Sequence, residues 1–182
     1  MSGDEGFIPM QVSALAVDPV TNVPVVILAD PVGGTTLPVG IGLGEAPAIA
    51  AEIDGIELER PMTHQLTAAL LQAAGASIVR VELRDSVRAK LSAAILLQRA
   101  DGQLAERVAR PSDAIALALH CAAPIWVAVA VLDRAARETP TWGSAGDGDD
   151  LDSFDGFDGF DDSTDPALLE RLGDEAFGKW KM

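Results

Sequence analysis

Apolar residues recur along the chain with two different spacings. Runs in which every second residue is apolar predict half-buried β-strands, and runs with a repeat of three to four residues predict helices with one apolar face. The predicted strands lie at residues 12–17, 24–29, 37–41, 78–83, 87–97, 103–108 and 125–130. Turn sequences rich in Asp, Pro, Asn and Gly separate the first three strands, and an Ala-Asp-Gly turn at 100–102 joins the fifth strand to the sixth.

Three helices are predicted at residues 45–53, 63–74 and 113–120. Thr63 and Ser112 are placed to act as N-caps, and Gly75 is placed to end the second helix. Because the strands come in runs with helices between them, we expect an α+β two-layer domain with a mixed, largely antiparallel sheet and helices packed on it. The segments VGGTT and GIGLGE match neither the dinucleotide fingerprint nor a Walker loop, which argues against a doubly wound nucleotide fold.

The composition changes near Pro140. Residues 141–164 consist mainly of Asp, Gly, Ser and Phe with a tandem FDG repeat, and such a segment has too little aliphatic surface to offset the entropy of folding. Asp165 and Pro166 then mark the start of a short helix. We therefore predict an α+β domain at 1–140, a disordered acidic linker at 141–164, and a C-terminal helix with an aromatic and basic end at 165–182.

The charge of the chain bears on its partners. The 182 residues include 28 acidic and 13 basic side chains, a formal net charge of −15, and no basic stripe of the kind that binds duplex phosphates is visible. No apolar run approaches the roughly 18 to 20 residues of a membrane-spanning helix, and the acidic opening residues do not resemble a secretory signal. The single cysteine excludes an internal disulfide. We expect a cytoplasmic protein that does not contact a membrane.

Four stretches of the chain resemble one known family. They are PVVIL at 24–28, LPVGIGLGEAPAIA at 37–50, RPMTHQL at 60–66 and RPSDAIALAL at 110–119. In this order they resemble the bifunctional nuclease (BFN) domain family. The resemblance implies an α+β fold, a homo-oligomer, most simply a homodimer, and a nuclease that acts on DNA or RNA.

The sequence departs from the usual pattern of this family in four places. Gly40 stands where a tryptophan is common, and Val87 with Arg88 stands where an aromatic pair is frequent. Gln65 and Val108 each stand where an aspartate is common, so these two departures remove a carboxylate. If those carboxylates serve catalysis, this chain retains the fold without cutting. The alternative function is therefore a non-catalytic oligomeric binding or regulatory module.

Phosphodiester hydrolysis needs an activated water, neutralisation of charge at phosphorus and a proton for the leaving oxygen, and carboxylate-held Mg²⁺ or Mn²⁺ commonly supplies part of this. The side chains that fit these needs lie at the starts of the predicted helices. We assign catalysis to Glu45, His64 and Asp113, the divalent metal to Glu45 and Asp113, and phosphate binding to Arg60, Arg110 and Ser112.

Each of these assignments has a structural alternative. An acid at a helix start, such as Glu45 or Asp113, complements the helix dipole, and Ser112 is a typical cap. Each arginine can instead pair with the acid of the opposite segment and link two helices. The sequence leaves both interpretations of these residues open.

Overall fold

The computed structural model describes residues 6–19, 21–85 and 90–138 of the chain. These residues belong to one compact unit, Met1–Trp142. The predicted linker at 141–164 and the predicted C-terminal helix at 165–182 lie outside the described residues. The elements in chain order are β1 (Phe7–Val17), β2 (Pro24–Ala29), β3 (Thr36–Gly40), α1 (Ala46–Ile53), α2 (Thr63–Ala73), β4 (Ser77–Asp85), β5 (Leu91–Gln98), β6 (Leu104–Ala109), α3 (Pro111–His120), β7 (Ile125–Ala128) and α4 (Val129–Glu138).

The strands of the described residues form one seven-stranded sheet in the order β3-β2-β1-β7-β4-β5-β6. Among these strands only β4 and β7 pair in parallel, so the prediction of a mixed, largely antiparallel sheet with helices packed on it is confirmed. β1 joins the two halves of the sheet: Phe7 to Met10 pair with β7, and the segment after them pairs with β2. Strand β1 therefore begins five residues before the predicted start at residue 12.

The core lies between one face of the sheet and the helices. Val81 and Leu83 of β4 and Ile115 of α3 are completely buried there. The same core continues under α1 and α4 and includes Val26, Leu28, Leu37, Val39, Ile41, Ile49, Ile125, Val127, Val131 and Leu132. Within the described residues, no helix is both long and apolar enough to cross a membrane.

The end of the domain differs from the prediction. The strand predicted at 125–130 ends at Ala128, and the chain passes directly into α4, which was not predicted. The sequence IWVAVAVL is apolar throughout and holds no turn residue, so its periodicity does not mark where the strand becomes a helix. Val131 and Leu132 are buried because α4 packs on β4 and β7.

Two predicted helix caps are wrong. Thr63 is the first helical residue of α2 and Met62 is the N-cap, with the side chain of Gln65 accepting a hydrogen bond from the Met62 backbone N–H at 2.9 Å. Ser112 is buried inside α3, which begins at Pro111 with Arg110 as its N-cap. Proline at the first helical position fixes φ for the helix and needs no capped N–H, which moves the start two residues earlier.

A chain of charges crosses the sheet on the face opposite the core. Glu82 of β4 is only 1% exposed and its carboxylate pairs with Arg80 at 2.6 Å and with Arg84. Arg84 also donates to the exposed Glu106 of β6 at 3.0 Å. Since a buried carboxylate without a partner is strongly unfavourable, these arginines are required wherever Glu82 is ionised.

Replacing Glu82 by alanine should destabilise the fold far more than the same replacement of Glu106. Glu82→Ala leaves two partly buried arginines without their shared partner, and we expect the free energy of unfolding to fall by about 3 kcal/mol. Glu106→Ala removes an exposed pair and should cost less than about 1 kcal/mol. Urea unfolding followed by circular dichroism measures both values, and equal losses would show that the buried carboxylate has no special role.

Candidate functional site

Helices α1 and α3 pack side by side with their corresponding ends together. At one end Glu45, the N-cap of α1, meets Arg110, the N-cap of α3, with Nη1 and Oε1 2.8 Å apart. At the other end Glu52 in the last turn of α1 meets His120, the last residue of α3. The two helices therefore run in the same direction. Seven residues separate Glu45 from Glu52, so the two polar clusters lie about 10 Å apart along the helices.

The first of these clusters, here called the Arg110 cluster, consists of Glu45, Arg110 and Asp113. Arg110 donates from Nε and Nη2 to the two carboxylate oxygens of Asp113 at 2.8 and 2.9 Å, and its Nη1 pairs with Glu45. The hydrogen bonds and charge of Asp113, followed by the charge of Glu45, raise the pKa of Arg110. All three guanidinium nitrogens are thus engaged within the protein.

The Arg110 cluster contains three of the six predicted site residues. They adopt the structural alternative, in which an arginine pairs with acids and links two helices. The cluster's two carboxylates lie at the N-terminal ends of α1 and α3, where the helix dipole favours an anion, and both pair with Arg110. Glu45 also folds back over Gly42, where a Cβ atom would collide with its carboxylate. Of the other predicted residues, Ser112 is buried, and Arg60 is exposed and forms no hydrogen bond or ion pair within the described part of the chain.

His64, the remaining predicted residue, lies in the second cluster, here called the Glu52 cluster, with Glu52, Gln65 and His120. One oxygen of Glu52, Oε1, is 2.7 Å from His64 Nε2, 2.8 Å from Gln65 Nε2 and 3.1 Å from His120 Nδ1. Because an ionised carboxylate only accepts hydrogen bonds, each of these nitrogens donates to Oε1. The proton therefore lies on Nε2 of His64 and on Nδ1 of His120. The two rings stand edge to face with centroids 5.9 Å apart.

Three helices bring these side chains together. Glu52 comes from the C-terminal end of α1, His120 from the C-terminal end of α3, and His64 with Gln65 from the first turn of α2. Glu52 and His64 are 12% and 8% exposed, whereas His120 is 34% exposed. His120 is therefore the member of the cluster that reaches solvent.

The surroundings keep Glu52 ionised although it lies at an unfavourable end of its helix. A carboxylate at a helix C-terminus faces the negative end of the helix dipole. Burial by itself raises the pKa of Glu52, but hydrogen bonds from His64, Gln65 and His120 outweigh burial and lower that pKa overall. Burial, and after it the charge of Glu52, raises the pKa of the neighbouring Cys121 thiol.

The Glu52 cluster borders a cavity between α2 and the start of β4. The cavity has a volume of about 340 Å³, and His120 forms part of its wall. The other lining residues are Ala68, Ala69, Leu71, Gln72, Ala76, Ser77, Ile78 and Cys121. A small molecule or part of a larger substrate in this cavity would therefore contact the exposed edge of His120.

The sequence pattern singles out neither Glu52 nor His120. Their spacing is the one signal that could have found them. Glu52 lies seven residues after Glu45, and His120 lies seven residues after Asp113, so each lies at the opposite end of the same helix. The structure also places two of the departures from the family pattern in different surroundings. Val108 lies exposed on β6 and Gln65 lies inside the Glu52 cluster, so only the second changes the chemistry of this cluster.

Comparisons with known proteins agree with the motif resemblance. The model of the bifunctional nuclease domain matches residues 26–140 of this chain. Uncharacterized protein Rv1829 and Uncharacterized protein MT1877, from two strains of Mycobacterium tuberculosis, are each 37% identical to it over 126 residues. Each match covers 69% of this chain and 74% of the relative.

Gln65 links the Glu52 cluster to the start of α2, and removing its amide should destabilise the domain. Gln65→Leu deletes the bond to Glu52 and the cap on the Met62 N–H, with an expected loss of about 1 to 2 kcal/mol in the free energy of unfolding. Gln72→Leu, on the exposed side of the same helix, is the matched control and should change stability by less than about 0.5 kcal/mol. Chemical denaturation gives both values, and similar results for the two variants would contradict this role.

Proposed function

Because the chain belongs to the bifunctional nuclease domain family, we propose that it hydrolyses phosphodiester bonds of DNA or RNA at the Glu52 cluster. The observation that supports this location is the convergence of two imidazoles and one carboxylate beside a cavity. The Arg110 cluster lacks this combination, since it contains no imidazole and both of its carboxylates pair with Arg110.

Hydrolysis requires a water activated for attack and a proton for the leaving oxygen. Imidazole exchanges protons near neutral pH, which makes it the commonest side chain for both tasks. Glu52 engages His120 through Nδ1 and thereby fixes the orientation of the ring. His120 also lines the cavity where a substrate would bind, and in this proposal its imidazole supplies the acid and base chemistry.

Arg60 is the phosphate-binding residue in this proposal. It lies three residues before the first residue of α2 and is exposed. Its guanidinium makes no hydrogen bond within the described residues, whereas all three nitrogens of Arg110 are engaged. An arginine that is not engaged can form two hydrogen bonds to a phosphate without first breaking an ion pair.

The centre first predicted at Glu45 and Asp113 is less favourable for a metal. Both carboxylates already bind Arg110, so Mg²⁺ or Mn²⁺ would have to displace a guanidinium that is held by three nitrogens. An ion placed there would also bring a second positive charge next to Arg110. The helix-linking role of these residues has no such cost.

A second proposed function, the oligomeric binding module, is supported by the net charge of −15 and by Gln65 in place of an aspartate. In either function we propose a homodimer, since β3 and β6 are the outer strands of the described sheet and each has an edge left to cover. The binding or regulatory module retains the fold but breaks no phosphodiester bond.

Cleavage of end-labelled single-stranded DNA and RNA by the full-length protein tests the proposal. We expect His120→Ala and Glu52→Gln each to lower the cleavage rate by about 10²- to 10⁴-fold. Arg60→Ala should raise KM more than it lowers kcat, because it removes a contact to phosphate and leaves the reacting groups in place.

Asp113→Asn tests which of the two clusters is the active site, because it changes the Arg110 cluster and leaves the residues of the Glu52 cluster in place. Loss of cleavage in Asp113→Asn with full cleavage in His120→Ala would move the active site to the Arg110 cluster. If the unmodified protein cleaves neither nucleic acid, with or without divalent metal, the nuclease proposal fails and the binding module replaces it.

A further inference from the structure

We infer that Glu52, His64 and His120 form a three-ligand site for a divalent transition-metal ion of the zinc type. The inference deepens the proposed function: in the zinc-bound protein the ion, and not His120, would activate the water, because both imidazoles serve as ligands. Only this catalytic role of the ion rests on the proposed function. Binding of the ion itself depends only on the three side chains.

The geometry of the three ligand atoms fits one ion. Glu52 Oε1, His64 Nε2 and His120 Nδ1 lie within 4.8 Å of one another, and the oxygen is 2.7 and 3.1 Å from the two nitrogens. Zinc binds imidazole nitrogen and carboxylate oxygen at roughly 2.0 to 2.2 Å, and in tetrahedral geometry this sets neighbouring ligand atoms about 3.3 to 3.6 Å apart. The cluster therefore needs only small side-chain movements to surround an ion.

An ion would also relieve crowding at Glu52. Three N–H groups now converge on Oε1, and a carboxylate oxygen has two lone pairs to offer them. A divalent ion takes the place of the protons on His64 Nε2 and His120 Nδ1, so three ligand atoms share one positive centre. Only the hydrogen bond from Gln65 then remains on that oxygen.

The electrostatics of this end of the helices favours a cation. Two of the three helix ends that meet here, those of α1 and α3, are C-termini with partial negative charge, and Glu52 adds a full negative charge. Within the described residues, no lysine or arginine pairs with Glu52. At the opposite ends of the same helices, the Arg110 cluster has its own cation.

The ligand set selects the class of metal, and its surroundings leave room for a reaction. Two imidazoles with one carboxylate suit zinc and related transition metals, whereas Mg²⁺ prefers oxygen ligands and retains its waters. Gln65 supports the carboxylate ligand from outside, as residues behind metal ligands commonly do. His120 lines the cavity, so one of the three ligands lies beside a space that water or substrate can enter, and catalytic zinc sites keep one coordination position for such a molecule.

Isothermal titration of tag-free, full-length protein with zinc chloride tests the inference without any nucleic acid. We expect one tight site per chain, and no corresponding site when magnesium chloride replaces zinc. Glu52→Gln, His64→Ala and His120→Ala should each remove this site. Gln65→Leu should weaken it by about 10-fold, because it removes support behind a ligand.

Asp101→Asn is the matched control, since this exposed acid lies in the turn between β5 and β6 and should bind zinc like the unmodified protein. Circular dichroism of each variant identifies any loss of fold, and His120→Ala, the change at the most exposed ligand, is decisive if the others unfold. Absence of a tight zinc site, or unchanged binding in folded His120→Ala, would overturn the inference. A Cys121→Ser variant that loses the site would overturn the three-ligand assignment.

The metal site and the nuclease proposal fail in different ways. Zinc bound through these three residues in a protein that cuts neither DNA nor RNA would support the metal site and refute the nuclease. Cleavage that continues at full rate after removal of all metal with a chelator would support the nuclease and overturn the role of the ion.

Discussion

The parallel packing of α1 against α3 is the constraint on which the rest of the site depends. Two parallel helices bring like ends together, and like ends carry partial charges of the same sign. Glu45 and Asp113 compensate the positive ends, with Arg110 held between them. At the negative ends, His64, His120 and Gln65 surround a carboxylate. The polar residues at the ends of these two helices thus form two clusters of different chemistry.

The two clusters differ in whether their side chains can still exchange protons or bind an ion. In the Arg110 cluster one guanidinium pairs with two carboxylates, and the result is a largely exposed link between the two helices. In the Glu52 cluster the single carboxylate is stabilised by hydrogen bonds from two imidazoles and an amide rather than by a permanent cation. Imidazoles can exchange their protons or bind a metal ion, so this cluster retains reactivity that the other lacks.

The sequence predicts the class of fold and most of the elements because alternation and helical spacing reflect burial directly. It does not predict α4, since the run from Ile125 to Leu132 is apolar on both sides of the transition from strand to helix. The sequence indicates His64 as a candidate, but its partners Glu52 and His120 are 12 and 56 residues away along the chain. Only the packing of three helices brings them together, and no local pattern records that packing.

X-ray absorption at the zinc edge of the zinc-loaded, full-length protein tests the central assignment most directly. Our account predicts two imidazole rings and further oxygen or nitrogen ligands at about 2.0 to 2.2 Å from the metal. A sulfur ligand at about 2.3 Å would place Cys121 in the site instead. A shell of oxygen atoms without imidazole would place the ion on carboxylates elsewhere in the chain, and either result would contradict the site formed by Glu52, His64 and His120.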